Sequence, residues 1–455
     1  MNSIATKLRK YLPNQPKIKI IPDPEIDHMG QIIDEVHETV YGYLEVSSSQ
    51  ELVSFHLDIL EDEDTHVLIN SQHKKLNEEE IMAVGDKFAN EFYSRPVSLS
   101  GLFQWEPDTY LVIYEEKDQE LGLLIPNTGC MVNVDIYGHV TSASFLDVDY
   151  KLLFPEIKIN SEEAKELICQ ESLVQLAISL EEKPELVYYP IHDIAGVSVD
   201  GKIQRSTELL EFDTKSDQPI EKVVVEFSME ELLGLAESDQ KIIEEEQTYW
   251  MRNGEEEPVA IINKEDPQHL FYQSFSEWSK DAGTLDEEVL RKRAIQFLES
   301  VIGNVHEKYV EEFQPSLDDF PFTEEEEEDL IDLYESTSTF LFKRVYNGIP
   351  VPPYSVEVRI GKCSGIIRYA IIPVISQEQL EEVVQEKPRI TIEEANGIYK
   401  DTLTMKLVRS VDHIQTPSIY GLSYLIDFPN GLHIEKINAH TGEVQFVDSG
   451  LIREG

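Results

Sequence analysis

The sequence predicts an α+β protein built from tandem repeats of helices packed on antiparallel sheets. Three observations predict it. The helix-like stretch Leu76-Asn77-Glu78-Glu79-Glu80-Ile81 runs on to Phe88, and Leu285-Asp286-Glu287-Glu288-Val289-Leu290 runs over the same span to Phe297. Each is followed by strand-like alternation and a glycine step, Gly122-Leu123-Leu124-Ile125-Pro126 in one case and Gly348-Ile349-Pro350-Val351-Pro352 in the other. Each then reaches a second helix with a capping-box start, Asn160 with Glu163 and Thr391 with Glu394, in which each side chain satisfies an orphan backbone amide. A plan written twice is the first thing to seek, because it governs how the rest of the chain is divided.

The elements follow in order. Ile4, Leu8, Tyr11 and Leu12 fall at helical spacing and predict a short amphipathic helix, read as a surface helix in preference to a membrane contact. From Lys17 to about Asn70 the chain alternates as strands, Tyr41–Val46 and Leu52–Leu57 among them, and the acidic run Glu61–Asp64 reads as a solvated loop. Residues 1–75 are therefore expected to form a strand-rich N-terminal region, and 76–205 the first repeat. In that repeat Tyr110–Tyr114 and Met131–Asp135 are strand runs, and Gly138 ends a turn before Val140–Phe145. Residues 206–284 form an acidic connector with a strand at Lys222–Phe227, a helix capped by Ser228 and Glu231, and a linker at Asp239–Pro258. Phe271, Phe275 and Trp278 then sit at i, i+4 and i+7 after Asp266-Pro267, predicting a further helix. Residues 285–455 form the second repeat, with an insertion whose Thr323–Asp329 run reads as a capped helix start.

Composition excludes several roles. The 455 residues suit about three domains, and 41% hydrophobic content with 20 Tyr and 18 Phe supports packed cores. Against 38 Lys and Arg stand 88 Asp and Glu, a net charge of -50. Binding nucleic acid requires cations that displace phosphate counterions, so this field points the wrong way, and anionic membrane surfaces are disfavoured likewise. The acidity reads first as a device for solubility. Cys130, Cys169 and Cys363 are odd in number without a C-x-x-C spacing, which argues against a disulfide framework or a zinc site. Lys7, Arg9 and Lys10 precede Leu12-Pro13-Asn14-Gln15-Pro16 and no apolar run, and no stretch of about 18 apolar residues occurs, so a cytoplasmic location is expected.

No catalytic, cofactor-binding or metal-binding residue emerges. The 12 histidines lack metal-ligand spacing, and Val36-His37-Glu38-Thr39-Val40 is half of a zinc-peptidase motif. Nucleophile-elbow, phosphate-loop and dinucleotide fingerprints are missing. Gly361-Lys362-Cys363-Ser364-Gly365 reads as a hairpin turn between strands. Carboxylate pairs are unavoidable in so acidic a chain, and sequence selects none of them.

The most distinctive segment is Phe340–Val351. Alternating apolar residues lead into Asn347-Gly348, a strong hairpin signal that predicts positive φ at the turn, and Pro350 restrains the outgoing strand. The stretch Arg344–Val351, with Ser355–Val358 and Gly365–Ile367 behind it, resembles the YcdB/YcdC repeated domain. In that family an Arg-x-x-Asn-Gly-Ile-Pro-Val step leads into two strands around a turn glycine. The C-terminal part, from Ile392-Glu393-Glu394-Ala395 to Ala439-His440-Thr441-Gly442-Glu443-Val444, is similar to a PepSY-type unit, a helix on an antiparallel sheet. The first repeat departs from the pattern, since Lys117-Asp118-Gln119-Glu120 stands where the Arg and Asn would be. The motif residues are Arg344, Asn347, Gly348, Pro350, Gly365, Thr441 and Gly442, read either as structural turn formers or as a binding role kept by the second repeat alone.

The resemblance implies no enzymatic activity and a role in restraining or chaperoning a peptidase. The expected function is a non-enzymatic protein-interaction module without cofactor, whose sheet edges pair with an extended segment of a partner protein. The rival is a carboxylate-dependent hydrolase with a cleft between the repeats. Convergent acids with perturbed pKa would favour the rival, and a filled interface the module.

Overall fold

The structure, a computed structural model, describes all residues except 1, 24, 25, 27, 58–73, 182, 192, 207–216, 265, 280, 281, 313–334, 412–415, 429–431 and 449–455. The Glu61–Asp64 and Thr323–Asp329 runs thus lie outside the described residues.

Helix α1 (Asn2–Leu8) continues into a 3-10 turn, Arg9–Tyr11. Ile4, Leu8, Tyr11 and Leu12 are buried in a protein core, so its apolar face is already occupied. A meander follows: β1 (Ile18–Pro22), β2 (Met29–Asp34), β3 (Val40–Val46) and β4 (Leu52–Leu57). Next come α2 (Glu78–Phe92) and a second meander, β5 (Val97–Glu106), β6 (Thr109–Lys117), β7 (Leu124–Asp135) and β8 (Val140–Leu146). β4 pairs β8 through Phe55 and Ala143, which fuses the meanders into one eight-stranded antiparallel sheet, β1-β2-β3-β4-β8-β7-β6-β5. α2 starts at a capping box, Asn77 with Glu80, and buries Ile81, Phe88 and Ala89. Phe88 centres the core, with its ring 4.9 Å from Tyr11 and 5.7 Å from Phe55.

After β9 (Lys151–Leu152) come α3 (Ser161–Ile168) and the strands β10 (Val174–Ser179), β11 (Glu185–Pro190), β12 (Ile194–Ser198) and β13 (Ile203–Arg205). The next stretch holds β14 (Gln218–Pro219), α4 (Met229–Leu232), β15 (Gln240–Ile243), β16 (Gln247–Met251), β17 (Pro258–Asn263) and β18 (His269–Ser274). Helices α5 (Glu287–Ile302) and α6 (Val305–Lys308) lead into β19 (Tyr309–Glu312), β20 (Thr337–Tyr346), β21 (Ile349–Gly361) and β22 (Ile367–Pro373). Here β18 pairs β22, and the result is a nine-stranded sheet, β14-β19-β20-β21-β22-β18-β17-β16-β15. The chain closes with α7 (Gln377–Val383), α8 (Ile392–Thr402), β23 (Thr404–Val411), β24 (Ile419–Asp427), β25 (Leu432–Asn438) and β26 (Val444–Asp448). Two smaller sheets result, β10-β11-β25-β26 and β13-β12-β24-β23, with β9 parallel on β24.

The molecule is mixed α+β, but antiparallel sheet dominates and helices are few, so the expected weight on helices is corrected. Strands from the N-terminal region 18–57 share a sheet with 97–146, and strands from the acidic stretch 240–274 share one with 309–373.

Three local expectations fail in that acidic stretch. The helix expected after Asp266-Pro267 is strand β18. The Asp266 carboxylate accepts the Gln268 amide at 2.7 Å and binds His269 at 2.8 Å, closing a turn in place of a helix start. Tyr272, Ser274 and Ser276 then point inward while Phe275 stays exposed, a period of two that pairing on both sides enforces. Asp239–Pro258, expected as a linker, contains β15 and β16 and buries Trp250. Lys222–Phe227, expected as a strand, is irregular, and the Val224 carbonyl takes its hydrogen bond from Gln296 Nε2 at 3.3 Å. The Ser228–Glu231 capping box is present as expected.

Candidate functional site

A cleft of about 320 Å³ opens where the end of the β6–β7 hairpin meets β9 and the chain after it. Its chemistry begins with the pleat of β6. Val112, Tyr114 and Glu116 alternate inward, so the strand that buries an aromatic ring also carries a carboxylate inside. Glu116 Oε1 accepts the Tyr93 phenol at 2.7 Å and lies 3.1 Å from Arg95 Nε. Its Oε2 accepts the Tyr150 phenol at 3.0 Å. Burial, and then the bond to Glu116, pushes the Tyr93 phenol well above its ordinary pKa.

Asp118 begins the β6–β7 turn. Its Oδ1 accepts the Glu120 amide at 2.7 Å, which shapes the turn, and its Oδ2 accepts Arg409 Nε at 3.0 Å and Nη2 at 2.5 Å. Arg409 comes from β23 and is 1% exposed, with its guanidinium 4.4 Å from the Phe154 ring centre. Burial alone would raise the Asp118 carboxyl, but the Arg409 hydrogen bonds, the Glu120 amide and the guanidinium charge outweigh it and hold it below its ordinary value. Asp118 is therefore an ionised hydrogen-bond acceptor, and Glu116 accepts two phenols beside an arginine.

The Cys130 thiol and the Ser364 hydroxyl are held away from nucleophilic chemistry. Burial pushes the Cys130 thiol up to about 12, far from thiolate chemistry near neutral pH. Ser364, in the Gly361–Gly365 turn, donates its hydroxyl to Glu335 Oε2 at 2.8 Å, and that carboxylate also takes the Ser364 amide at 2.6 Å and Arg368 Nε at 2.8 Å. Glu335 would be raised by burial, but the Ser364 amide and hydroxyl and then Arg368 lower it. Among the described residues no group of three or more His, Cys, Asp or Glu converges as a metal cage. A second concavity, about 460 Å³, lies on the face of the eight-stranded sheet, lined by Tyr43, His56, Leu111, Met131, Asn133 and Ser142.

The depressed Asp118 and Glu335 predict acid sensitivity. Each folded-state pKa lies below its unfolded value, so the stabilisation is full above the unfolded carboxylate range, about pH 4, and drains as pH falls through the folded values. Thermal melts from pH 7 to pH 2 should show a steady Tm down to about pH 5 and a steep fall below about pH 4. The fall should be shallower in Asp118→Asn, which should already melt lower at pH 7.

The motif residues fall at three separate hairpins, away from the cleft acids in sequence and pairing. Asn347, Gly348, Gly365, Thr441 and Gly442 are in the turns, whereas Arg344 lies within β20 and Pro350 within β21, so these two are strand residues and not turn formers. Arg344 is buried, donates from Nη1 to the Lys308 carbonyl at 2.8 Å and the Val345 carbonyl at 2.6 Å, and stacks 5.3 Å from the Tyr309 ring centre. Burial lowers its pKa from the ordinary arginine value. Asn347 and Gly348 form the β20–β21 turn at φ 50° and 78°, with Tyr346 opposite Ile349 and Val345 opposite Pro350. Gly365, at φ 64°, accepts Arg293 Nη1 on its carbonyl at 3.0 Å in the β21–β22 turn. Thr441 Oγ1 accepts the Glu443 amide at 3.2 Å, and Gly442 has φ 73° in the β25–β26 turn. A Cβ on Gly348 would meet nothing within 4 Å, so Gly348→Val tests backbone conformation alone. We expect a loss of about 1 kcal/mol or more, read as a lower urea midpoint.

Glu116, Asp118 and Arg409 were not singled out by sequence reasoning. The available signal was Arg409 itself, a charge within the alternating run Leu407–Val411.

No family model matches the chain, and no curated protein matches it. Among solved structures the chain is similar to the Bacillus megaterium YpeB C-terminal domain, at 18% identity, covering 42% of this chain and 86% of that one, with a TM-score of 0.28. A score that low carries no argument about function. The YcdB/YcdC and PepSY resemblance therefore rests on the residues quoted for it. Among the described residues no helix is long and apolar enough to cross a membrane.

Proposed function

We propose that this chain is a non-enzymatic protein-interaction module that pairs with an extended segment of a partner protein, with a peptidase as the partner class its PepSY-like residues imply. The observation that carries the reading is the state of the cleft. Glu116 is bound by two phenols and an arginine, and Asp118 by a buried arginine and a turn amide. A hydrolase needs one acid held protonated near neutral pH and one free to attack or deprotonate, and neither carboxylate is arranged for that. The same reading takes the two large meander–helix–meander sheets as copies of one plan.

The edge best suited to strand addition is β26, the outermost strand of its sheet, where Phe446 and Val447 are exposed beside Leu432. Backbone groups there would supply affinity, and the apolar side chains selectivity. The test has two arms. A displayed library of extended peptides is selected against the full chain, and winners are re-measured against Phe446→Lys. A loss of binding about tenfold or more supports the reading, and unchanged binding counts against the edge. In parallel, peptide and glycoside substrates are incubated with the parent and with Glu116→Gln. Turnover by the parent that the variant abolishes would replace the module reading with the hydrolase.

A further inference from the structure

The strands that follow α3 and α8 do not close on their own segments. β11 pairs β25, with Val187 opposite Asn438 and Tyr188 opposite Ile437. β12 pairs β24, with Val197 opposite Tyr424 and Ser198 opposite Ser423. Each of the two smaller sheets thus takes two strands from residues 174–205 and two from residues 404–448, with β9 added to the second. The exchange is reciprocal down to single hydrogen bonds. The Tyr188 phenol donates to the Ile390 carbonyl at 2.6 Å, just ahead of the α8 cap, and the Tyr424 phenol donates to the Ile159 carbonyl at 2.7 Å, just ahead of the α3 cap. Lys165 of α3 caps the end of α8 at the Leu403 carbonyl, 2.8 Å, and Lys400 of α8 caps the end of α3 at the Cys169 carbonyl, 2.6 Å. Ile168, Tyr188 and Val197 share one core with Tyr399, Tyr424 and Ile437.

We infer that residues 158–205 and 389–448 are mutual docking partners in an exchanged pair, and that this contact, not the covalent link between β13 and β14, holds the two halves of the chain together. The partner that fits each half is the complementary half of the same molecule. Taken alone, either segment would leave an inner strand without its ladder partner and open half of a shared core to water. Exchange of equivalent elements is a known low-cost route to tight association between two chains, and here both participants lie in one. Two further contacts run the same way across the halves: Arg409 on Asp118, and the Tyr420 phenol on the Pro126 carbonyl at 2.7 Å. The inference is independent of the binding role proposed above.

The experiment uses the full chain with a specific protease site inserted between Arg205 and Gln218. After complete cleavage, the two fragments should co-elute at the mass of the intact chain in native buffer at micromolar and at nanomolar concentration, and separate only in denaturant. Two separate peaks in native buffer would overturn the inference. A peak at twice the intact mass would overturn it in favour of exchange between copies. As a second readout, the cleaved Tyr188→Phe/Tyr424→Phe protein should associate about tenfold or more weakly than the cleaved parent, since two half-buried carbonyls lose their donors. In contrast, Tyr249→Phe, an exposed phenol of the nine-stranded sheet bound to Glu244, should leave association unchanged. Equal weakening by both changes would overturn the specific pairing.

Discussion

Arg409→Met should lower stability by about 3–5 kcal/mol, the usual cost of stranding one member of a buried ion pair. The variant leaves Asp118 almost fully buried with only turn amides to hold its charge. It also strips the Leu153 carbonyl of a donor and Phe154 of its cation. Replacing both partners, Asp118→Leu with Arg409→Met, should recover much of the loss, because no buried charge then remains uncompensated. Urea denaturation of the four proteins of this double-mutant cycle measures the coupling. A single-variant loss below about 1 kcal/mol would mean that the pair behaves as an exposed one.

Phe88→Ala should cost about 3–5 kcal/mol, through lost burial and the cavity left behind. Phe88 is fully buried and touches Tyr11, Phe55, Phe92 and Phe145, drawn from α1's 3-10 extension, β4, α2 and β8. A ring so placed ties the N-terminal meander to the second one, and the surrounding sheet has little room to collapse. By contrast Phe92→Ala, at the same core's margin, should cost less. A near-neutral urea midpoint in Phe88→Ala would show that this core repacks freely.

Much of the fold was legible because its signals are local. Asn77 with Glu80, Asn160 with Glu163, Ser228 with Glu231 and Thr391 with Glu394 cap helices through side chains three residues apart, so the residues alone carry the geometry. Asn347-Gly348 likewise announces its own turn, since left-handed backbone there is a property of those two residues. The stretch 239–278 was misread for the opposite reason. Its strands β15 to β18 pair with one another in order and join the sheet through β18 on β22, and Phe271, Phe275 and Trp278 match a helical period that ladder pairing overrides.

The cleft left a single trace in the sequence, the charge of Arg409 within an alternating run. Asp118 and Arg409 lie 291 positions apart, and nothing near either one in sequence announces a partner for the other. By itself the sequence determined the mixed α+β class, the capped helices, the glycine turns and a net charge of -50. These are set by side chains acting on their own backbone or by summed charge. Only the tertiary structure decided which strands share a sheet, that β11 and β12 seek β25 and β24, and that Glu116 and Asp118 are bound rather than free. Strand pairing and ion pairing are contacts between distant residues, and their energy depends on burial that exists only once the chain has folded.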